Sequence, residues 1–358
     1  MKLMTVFGTR PEIIRLSRVI AALDPFCEHT LVYTGQNYDP NLSDVFFQEL
    51  VVRPPDIHMN IQSTGFADQV GQIIMRAGEI FDQHKPDRLL ILGDTNSGLV
   101  AIVSARMGIP VYHMEAGNRC YDNRVPEEIN RRIIDHSSTV LMPYTQRSKD
   151  NLVREGIERQ RIYVTGNPIN EVLNYYSSKI DSSDILTHLD VKARAFFLVT
   201  MHRAENVDDP KRLGMLLDGL TQVGRTYQQP IIISVHPRTA DRIKRSGITI
   251  DQTYLKLCTP FGFFDFVHLE KSARCVISDS GTVQEECTIF GVPNVTIRDV
   301  TERAETIEVG GNMLSGANPI DLLRATAIVL NTTSDWIAPI EYLERNVSRT
   351  VTKIVLGL

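Results

Sequence analysis

The fold of this chain is decided by the stretch Cys275-Val276-Ile277-Ser278-Asp279-Ser280-Gly281-Thr282-Val283-Gln284-Glu285-Glu286. It predicts a strand, then a turn of small residues, then a helix. The first N–H groups of such a helix lack partners within it, and the helix dipole is positive there. The turn therefore predicts an anion site, such as one for a diphosphate, with the Ser280 and Thr282 hydroxyl groups as donors and Glu286 as an acceptor for a diol. An ordinary helix N-cap explains the pattern equally well.

The same alternation of strand and helix runs through the whole sequence. Apolar runs predict strands in the first half at Leu3–Phe7, Thr30–Thr34, Arg88–Leu92, Val111–Glu115, Val140–Met142 and Ile162–Thr165. Those in the second half are Phe196–Thr200, Ile231–Val235, Tyr254–Leu257, Cys275–Ser278 and Asn294–Ile297. Helix-length amphipathic stretches, such as Phe66–Gln83 and Pro210–Tyr227, lie between them. We therefore predict an α/β fold of two doubly wound, Rossmann-like parallel-sheet domains, residues 1–167 and 168–340.

Composition excludes several classes of protein. The 358 residues are enough for about two domains. With 38 Lys and Arg against 43 Asp and Glu, the net charge is −5, which argues against a nucleic-acid partner. No apolar run approaches the ~18 residues of a membrane span. The five Cys are widely spaced without a CxxC pair, which argues against a disulfide framework or a Cys-rich zinc site and predicts a cytoplasmic location.

Polar loops follow nearly every predicted strand. Ligands of doubly wound sheets bind beyond the carboxyl ends of the strands, so these loops predict an active site in the cleft between the two domains. Arg10 and Arg15, one turn apart on the first helix, can clamp phosphate or form an ordinary surface pair. The loops that begin at His202-Arg203 and at His236-Pro237-Arg238 suggest further phosphate contacts, whereas a metal ion is disfavoured beside so many Arg residues.

The first domain carries a set of carboxylates. Asp94 and Glu115 each end a predicted parallel strand, so they can converge, and Glu127 begins a helix in which Arg131 is four residues away and able to pair with it. Burying carboxylates at strand ends is costly without a purpose, and carboxylates that share a cavity raise one another's pKa, which suits acid/base chemistry. A helix-start carboxylate remains the simple explanation for Glu127.

Common nucleotide motifs are absent. The sequence has no G-x-G-x-x-G dinucleotide fingerprint, no P-loop and no G-x-S-x-G nucleophile elbow. Parallel sheets, a diphosphate site and convergent carboxylates together indicate a nucleotide-linked small molecule as ligand.

Seven ordered motifs resemble the bacterial non-hydrolysing UDP-N-acetylglucosamine 2-epimerase family across nearly the whole chain. They are Phe7-Gly8-Thr9-Arg10-Pro11-Glu12, Gly93-Asp94-Thr95, Glu115-Ala116-Gly117, Pro126-Glu127-Glu128-Ile129-Asn130-Arg131, His202-Arg203, Asp279-Ser280-Gly281 with Gln284-Glu285-Glu286, and Arg298-Asp299 with Thr301-Glu302-Arg303. The resemblance implies a glycosyltransferase-B-like fold in which a C-terminal helix, about residues 341–358, packs back on the first domain.

Within that family the chain looks like the branch that makes UDP-N-acetyl-L-fucosamine. Four stretches carry this likeness: Glu12–Arg18, Thr34–Asp39, Asp94–Ser97 and Met114–Cys120. The chain departs from the N-acetylglucosamine enzymes at Arg15, where they have Lys, and near Phe261, where they have Gln. The allosteric substrate site of those enzymes is not recognisable in Gln36-Asn37-Tyr38.

The resemblance implies C2 epimerisation of a UDP-2-acetamido-deoxyhexose by elimination and re-addition of UDP, without NAD or metal, in a homodimer that serves capsule or O-antigen synthesis. By family match the catalytic residues are Asp94, Glu115, Glu127 and His202. The residues that bind the UDP-sugar are Arg10, Arg15, Arg131, Phe266, Ser280, Gly281, Thr282, Glu286 and Arg303. The alternatives are a UDP-N-acetylglucosamine/UDP-N-acetylmannosamine 2-epimerase, a glycosyltransferase on the same fold and a non-catalytic nucleotide-sugar sensor.

Overall fold

The computed structural model describes residues 1–35, 40–235, 237–248 and 250–358. These residues form two compact units: Met1–Tyr175 together with Ile340–Leu358, and Tyr176–Pro339. Each unit contains a six-stranded sheet in which every pair of strands is parallel. The predicted α/β class with two doubly wound sheets is confirmed.

The first unit has strand order β3-β2-β1-β4-β5-β6. Its strands are β1 Lys2–Phe7, β2 Glu28–Tyr33, β3 Ile57–His58, β4 Arg88–Leu92, β5 Val111–Met114 and β6 Val140–Met142. Its helices are α1 Arg10–Leu23, α2 Pro40–Glu49, α3 Phe66–His84, α4 Val100–Arg106, α5 Pro126–Ser137, α6 Gln146–Arg154 and α7 Ile169–Tyr175, followed at the chain end by the C-terminal helix Val347–Gly357. Short 3₁₀ turns occupy Asn96–Leu99, Arg159–Arg161 and Ile340–Tyr342.

The second unit repeats this arrangement with order β12-β11-β10-β7-β8-β9. Its strands are β7 Phe197–Thr200, β8 Ile231–Ser234, β9 Leu255–Cys258, β10 Cys275–Ser278, β11 Asn294–Thr296 and β12 Asn312–Leu314. Its helices are α8 Ser177–Asp181, α9 Ile185–His188, α10 Ala204–Val207, α11 Pro210–Tyr227, α12 Pro237–Ser246, α13 Phe263–Ser272, α14 Gly281–Phe290, α15 Ala304–Glu308 and α16 Pro319–Asn331.

Both sheets therefore have a topological switch point, where the strand order reverses. It lies between β1 and β4 in the first unit and between β7 and β10 in the second. The connections that follow two such strands leave toward opposite faces of the sheet, which opens a crevice at their carboxyl ends. The loops after these four strands therefore border the crevices in which doubly wound sheets bind ligands.

The strands are apolar along nearly their whole length because helices cover both faces of each sheet. In the first unit Val6, Val32 and Ile91 are fully buried together with Ile73 and Phe81 of α3. In the second unit Val199, Ile233 and Ile277 occupy the equivalent place and pack with Leu216 and Leu220 of α11. These helix residues recur at four- and eight-residue spacing, so each helix turns one apolar face to its sheet.

The C-terminal helix belongs to the first unit. It packs against α1, and its buried residues Val347, Val351 and Val355 recur every four positions. The carboxylate of Glu171 on α7 accepts hydrogen bonds from the backbone N–H and the hydroxyl group of Ser348, which fixes the start of this helix.

Three strand assignments from the sequence were wrong. The stretch Ile162–Thr165 is not a strand: Ile162 makes one bridge with Leu141, and although the Thr165 N–H donates to the Pro143 carbonyl group, Pro143 has no N–H with which to continue the ladder. The sequence analysis missed β3 and β12. These edge strands have two and three residues, too few for a period to be read from the sequence.

No helix in the described parts of the chain is long and apolar enough to cross a membrane.

Candidate functional site

Glu12 joins the two loops at the switch point of the first unit. Thr9 caps α1, and the Glu12 carboxylate accepts hydrogen bonds from the Gly8 N–H (3.0 Å), the Thr9 hydroxyl (2.7 Å) and the Thr95 hydroxyl (3.1 Å). Burial raises the pKa of Glu12 to about 7, because it outweighs these hydrogen bonds. The sequence analysis gave Glu12 no role, although Thr-x-x-Glu after a strand is the signature of a capping box.

Asp94 follows β4 and lies beside Glu12's partner Thr95. Its carboxylate accepts a hydrogen bond from Arg131 Nε of α5 at 2.8 Å and forms an ion pair with Nη2 at 2.6 Å, and its side chain keeps 23% of its surface exposed. The neighbouring Asn130 donates to the Asp94 carbonyl group at 3.0 Å. The fold thus brings Arg131 to the predicted acid/base residue Asp94, which is held in place and remains accessible.

Arg131 also contacts Glu128 on its own helix at 2.8 Å. Glu127, the predicted catalytic residue, lies half-buried in the first turn of the same helix, directly after Pro126. Glu128 is fully buried and accepts hydrogen bonds from the backbone N–H groups of Cys120 and Tyr121 at 3.0 Å each. Glu128 is therefore a structural anchor of the preceding loop, a role that no local sequence pattern indicated.

Glu115 follows β5 in an unusual conformation. Its φ is +65°, a value that L residues other than Asn and Asp seldom adopt. The buried carboxylate accepts hydrogen bonds from Arg15, from the Tyr144 hydroxyl (3.3 Å) and from the Asn118 amide (3.3 Å). Backbone strain held in place by several side-chain contacts is typical of functional positions. Arg15 thus contacts a predicted catalytic carboxylate, and residues 100 positions apart meet.

A buried network supports the turn that carries Glu115. Asp135 of α5 accepts hydrogen bonds from His113 (2.9 Å), the Gly117 N–H (3.2 Å) and Arg119 (2.8 Å). Burial alone would raise the pKa of Asp135, but His113 and Arg119 lower it. Gly117 has φ +80°, and a Cβ atom there would lie 2.3 Å from the Ser148 carbonyl oxygen, so only glycine fits this turn.

Arg10 begins α1, directly after the loop that follows β1. Its guanidinium group lies 5.7 Å from the centroid of the Phe46 ring, and burial lowers its pKa. The side chain is half-buried. A partly desolvated cation at a helix N-terminus beside a switch point is suited to a phosphate.

Asp279 joins the two loops at the switch point of the second unit. Its buried carboxylate accepts hydrogen bonds from the backbone N–H groups of His202 (3.0 Å) and Arg203 (2.9 Å) and from the Asn206 amide (3.0 Å). The His202 ring nitrogen Nδ1 lies 3.2 Å from it. Burial opposes ionisation, but His202 and these donors lower the pKa of Asp279 to about 2. Asp279 thus orients the half-exposed His202 ring so that Nε2 is available to a ligand.

The turn into α14 has the features expected of an anion site. Ser280 caps the helix without a side-chain hydrogen bond to its first turn, so its hydroxyl group remains available. A Cβ atom on Gly281 would lie 2.8 Å from a Glu302 carboxylate oxygen, so glycine lets Glu302 and Arg303 approach the turn. Thr282 is half-buried in the first turn.

Arg303 is buried and donates a hydrogen bond to Glu285 of α14. Glu302 is held by Arg298, a fully buried guanidinium that also contacts Glu205. The motif of residues 298–303 thus forms a charged layer beside the turn. The structure places Arg303 next to Gly281, as its assignment to the substrate requires.

The two remaining predicted nucleotide contacts lie on neighbouring helices. Glu286 is buried in the second turn of α14, with 3% of its surface exposed, and Phe266 is half-buried on α13, where it packs against an apolar cluster that includes Val283. His236, the side chain of Arg238, and residues 36–39 lie outside the described residues. Among the side chains that are described, no three His, Cys, Asp or Glu residues come together as candidate metal ligands.

Comparison with known proteins identifies the family. The family model described as UDP-N-acetylglucosamine 2-epimerase matches residues 21–356. The UDP-N-acetylglucosamine 2-epimerase of Methanocaldococcus jannaschii is 39% identical over 347 residues, 95% of each chain. The UDP-2,3-diacetamido-2,3-dideoxy-D-glucuronate 2-epimerase of Pseudomonas aeruginosa is 35% identical over 322 residues, 88% of this chain and 89% of that protein.

A solved structure shares the fold throughout. The crystal structure of the Methanocaldococcus jannaschii UDP-GlcNAc 2-epimerase in complex with UDP-GlcNAc and UDP superimposes with a TM-score of 0.94 at 37% identity, covering 99% of each chain. The predicted glycosyltransferase-B-like architecture of two Rossmann domains is therefore confirmed. The chain belongs to the UDP-N-acetylglucosamine 2-epimerase family, whose named members are UDP-sugar 2-epimerases, isomerases that act on carbohydrates.

Proposed function

We propose that this enzyme inverts C2 of a UDP-2-acetamido-deoxyhexose by eliminating UDP and adding it back. One observation carries the proposal: two strand-end carboxylates, Asp94 and Glu115, are each held by a guanidinium group, from Arg131 and Arg15, at the carboxyl edge of one sheet. Relatives named for action on UDP-N-acetylglucosamine support the choice of substrate class.

The chemistry explains the need for these groups. The C2 hydrogen is not next to a carbonyl group, so enolisation cannot remove it. Elimination breaks the C2–H and C1–O bonds and forms a C1=C2 double bond; the proton passes to a carboxylate and UDP leaves with the bonding electrons. Adding UDP to C1 and a proton to the other face of C2 gives the epimer. Every atom is recovered, and no electron is gained or lost.

We assign the proton transfers to the first unit. Asp94, with its partly exposed carboxylate, Glu115 and Glu127 are the acid/base candidates. Arg131 and Arg15 donate hydrogen bonds to Asp94 and Glu115 and hold them in fixed orientations, and we assign both carboxylates to the hexose side of the reaction. General acid/base groups need such fixed positions because proton transfer requires hydrogen-bond distance.

We assign the nucleotide to the second unit. The N–H groups at the start of α14, the Ser280 and Thr282 hydroxyl groups, His202 and Arg303 would hold the diphosphate, and Arg10 of the first unit would stabilise its developing charge. Gly281 would contribute its backbone N–H, as the first residue of α14. Glu286 accepts the ribose hydroxyl groups, and Phe266 contacts the nucleotide.

Asp94→Asn tests the assignment of roles. We expect turnover to fall by ~10²–10⁴-fold, because an amide cannot transfer the proton, while UDP affinity measured by calorimetry stays nearly unchanged. The matched control is Asp82→Asn, which should behave as wild type. Asp82 is an exposed residue of α3 whose carboxylate pairs with nearby Lys85 in the described structure. A non-catalytic nucleotide-sugar sensor would instead bind UDP-sugars without turning any of them over.

The finer proposal is that the substrate is UDP-2-acetamido-2,6-dideoxy-L-talose and the product UDP-N-acetyl-L-fucosamine, a precursor for capsule or O-antigen. The motifs around Arg15, Asn96 and Asn118 support this branch. We expect its kcat/KM to exceed that for UDP-N-acetylglucosamine and for UDP-2,3-diacetamido-2,3-dideoxy-D-glucuronate when the three are assayed side by side. A higher value for either of the others would reassign the substrate. The homodimer and the cytoplasmic location stay predictions.

A further inference from the structure

The proposed mechanism gives no role to one fully buried acid, Glu270. Glu270 lies on α13 with none of its surface exposed, next to the buried apolar residues Leu269 and Ala273. Neither of its carboxyl oxygens receives a hydrogen bond from an N–H or O–H donor of the described residues. A buried polar group in this situation costs free energy, so its neighbours must explain it.

The neighbour of Glu270 is Glu286 on the adjoining helix α14, within side-chain hydrogen-bond reach. An ionised carboxylate only accepts hydrogen bonds, so two ionised carboxylates cannot bond to each other. The contact forms when one of them carries a proton. Burial in the first place, and then the charge of Glu286, raise the pKa of Glu270 well above its ordinary value. Glu270 is fully buried and neither of its oxygens has a donor among the described residues, so we take it as the partner that carries the proton.

The other titratable groups described around α13 are neutral, paired or exposed. Helices α8, α9 and α14 pack against α13. On α14, burial and then the two glutamates raise the pKa of the Cys287 thiol, so it stays neutral beside the pair. On neighbouring elements Glu285 pairs with Arg303, Asp181 with Lys271 and His188 with Asp184, while Lys179 lies over the rings of Tyr176 and Phe264. On α13 itself, Asp265 accepts a hydrogen bond from the Ser183 hydroxyl group, and the His268 ring contacts the Ile180 carbonyl group.

We propose that Glu270, as a neutral acid, donates a hydrogen bond to the Glu286 carboxylate and holds it in the orientation that accepts the ribose hydroxyl groups. Glu270 is thus a positioning residue of the nucleotide site. The inference rests on the proposed role of Glu286. It has a consequence that packing alone would not have: when Glu270 ionises at high pH, two anions are in contact, Glu286 loses its donor, and affinity for the ribose diol falls.

The test compares UDP with 2′,3′-dideoxy-UDP, which lacks the diol. Calorimetric titrations between pH 6 and 9.5 would use wild type, Glu270→Gln, Glu270→Leu and the exposed control Asp218→Asn on α11. We expect Glu270→Leu to weaken UDP binding about ten- to a hundredfold, the scale of one lost hydrogen bond to a charged group, and to leave dideoxy-UDP binding unchanged. Glu270→Gln keeps a donor that does not ionise. This variant should therefore bind UDP as wild type does near neutral pH, and its UDP affinity should not fall at high pH.

The outcomes separate the inference from the function on which it rests. Equal UDP affinity and equal pH dependence in wild type, Glu270→Leu and Glu270→Gln would overturn the inference. If Glu286→Gln also bound UDP as wild type does, the assignment of the ribose to Glu286 would fail as well. If Glu286→Gln weakened UDP binding and the Glu270 variants did not, only the inference would fail. Should Glu270→Leu not fold, the pH profile of Glu270→Gln alone decides.

Discussion

At each of the two switch points a buried carboxylate joins the two flanking loops, but the pKa is raised in one of these carboxylates and lowered in the other. Glu12 and Asp279 are both buried, and each joins the loops that follow the two strands flanking a switch point. Burial raises the pKa of Glu12 to about 7, whereas His202 and three N–H donors overcome burial and lower the pKa of Asp279 to about 2.

The difference lies in the partners. Glu12 accepts from hydroxyl groups and from backbone N–H groups, which offset only part of the desolvation cost, while Asp279 also faces an imidazole that can carry charge. A buried carboxylate keeps its ordinary charge only when its partners compensate for lost water. The edge of the first unit can therefore exchange protons near neutral pH. At the edge of the second unit, the buried Asp279 carboxylate stays ionised and orients the His202 ring, whose other nitrogen is then available to a diphosphate.

Asp279→Ala should have the largest effect. It leaves the N–H groups of His202 and Arg203 and the Asn206 amide without their shared acceptor, so we expect the free energy of unfolding to fall by about 3 kcal/mol or more. Urea unfolding of the mutant and of the exposed control Asp218→Ala measures it. A loss equal to that of the control would mean that Asp279 does not hold the loop.

Glu12→Gln should change how stability depends on pH. The folded state binds more protons than the unfolded state between the ordinary pKa of 4.5 and the raised value of about 7, so the contribution of Glu12 is present below this window and is lost as the pH rises through it. The shift corresponds to roughly 3 kcal/mol at most. We expect wild type to lose stability between pH 5 and pH 8 relative to Glu12→Gln. Parallel pH curves of the two proteins would contradict a raised pKa.

Thr95→Val should have the smallest effect of the three. It removes one hydroxyl donor that links Glu12 to the loop of Asp94, at a cost of about 1 kcal/mol. The ionised form of Glu12 loses more than the neutral form, so the pH at which the Glu12 contribution disappears should move upward. Thr95→Ser keeps the hydroxyl group and is the control; it should leave that midpoint where wild type has it.

The fold could be predicted from the sequence because apolar strands and amphipathic helices alternate, and a candidate site could be proposed because polar residues follow buried strands. The sequence analysis missed what depends on tertiary neighbours. Arg15 meets Glu115 across 100 residues, and Asp279 meets His202 only because β7 and β10 are adjacent in the sheet. No local sequence pattern indicates that Glu270 is buried. It is buried because it lies on the face of α13 that packs against α14. Of these residues, only Glu12 belongs to a local sequence pattern, the Thr-x-x-Glu capping box, from which its role at the start of α1 could have been predicted.

The central claim is that C2 loses its proton to a group that exchanges with solvent and regains one during re-addition of UDP. The most direct measurement is turnover of UDP-2-acetamido-2,6-dideoxy-L-talose in deuterated water without added NAD, followed by NMR at C2. If another of the three UDP-sugars compared above has the highest kcat/KM, that sugar is used. We predict that the product carries deuterium at C2. Full turnover with complete retention of the original C2 hydrogen would contradict the account, since the C2 proton would then not have passed to a group that exchanges with solvent.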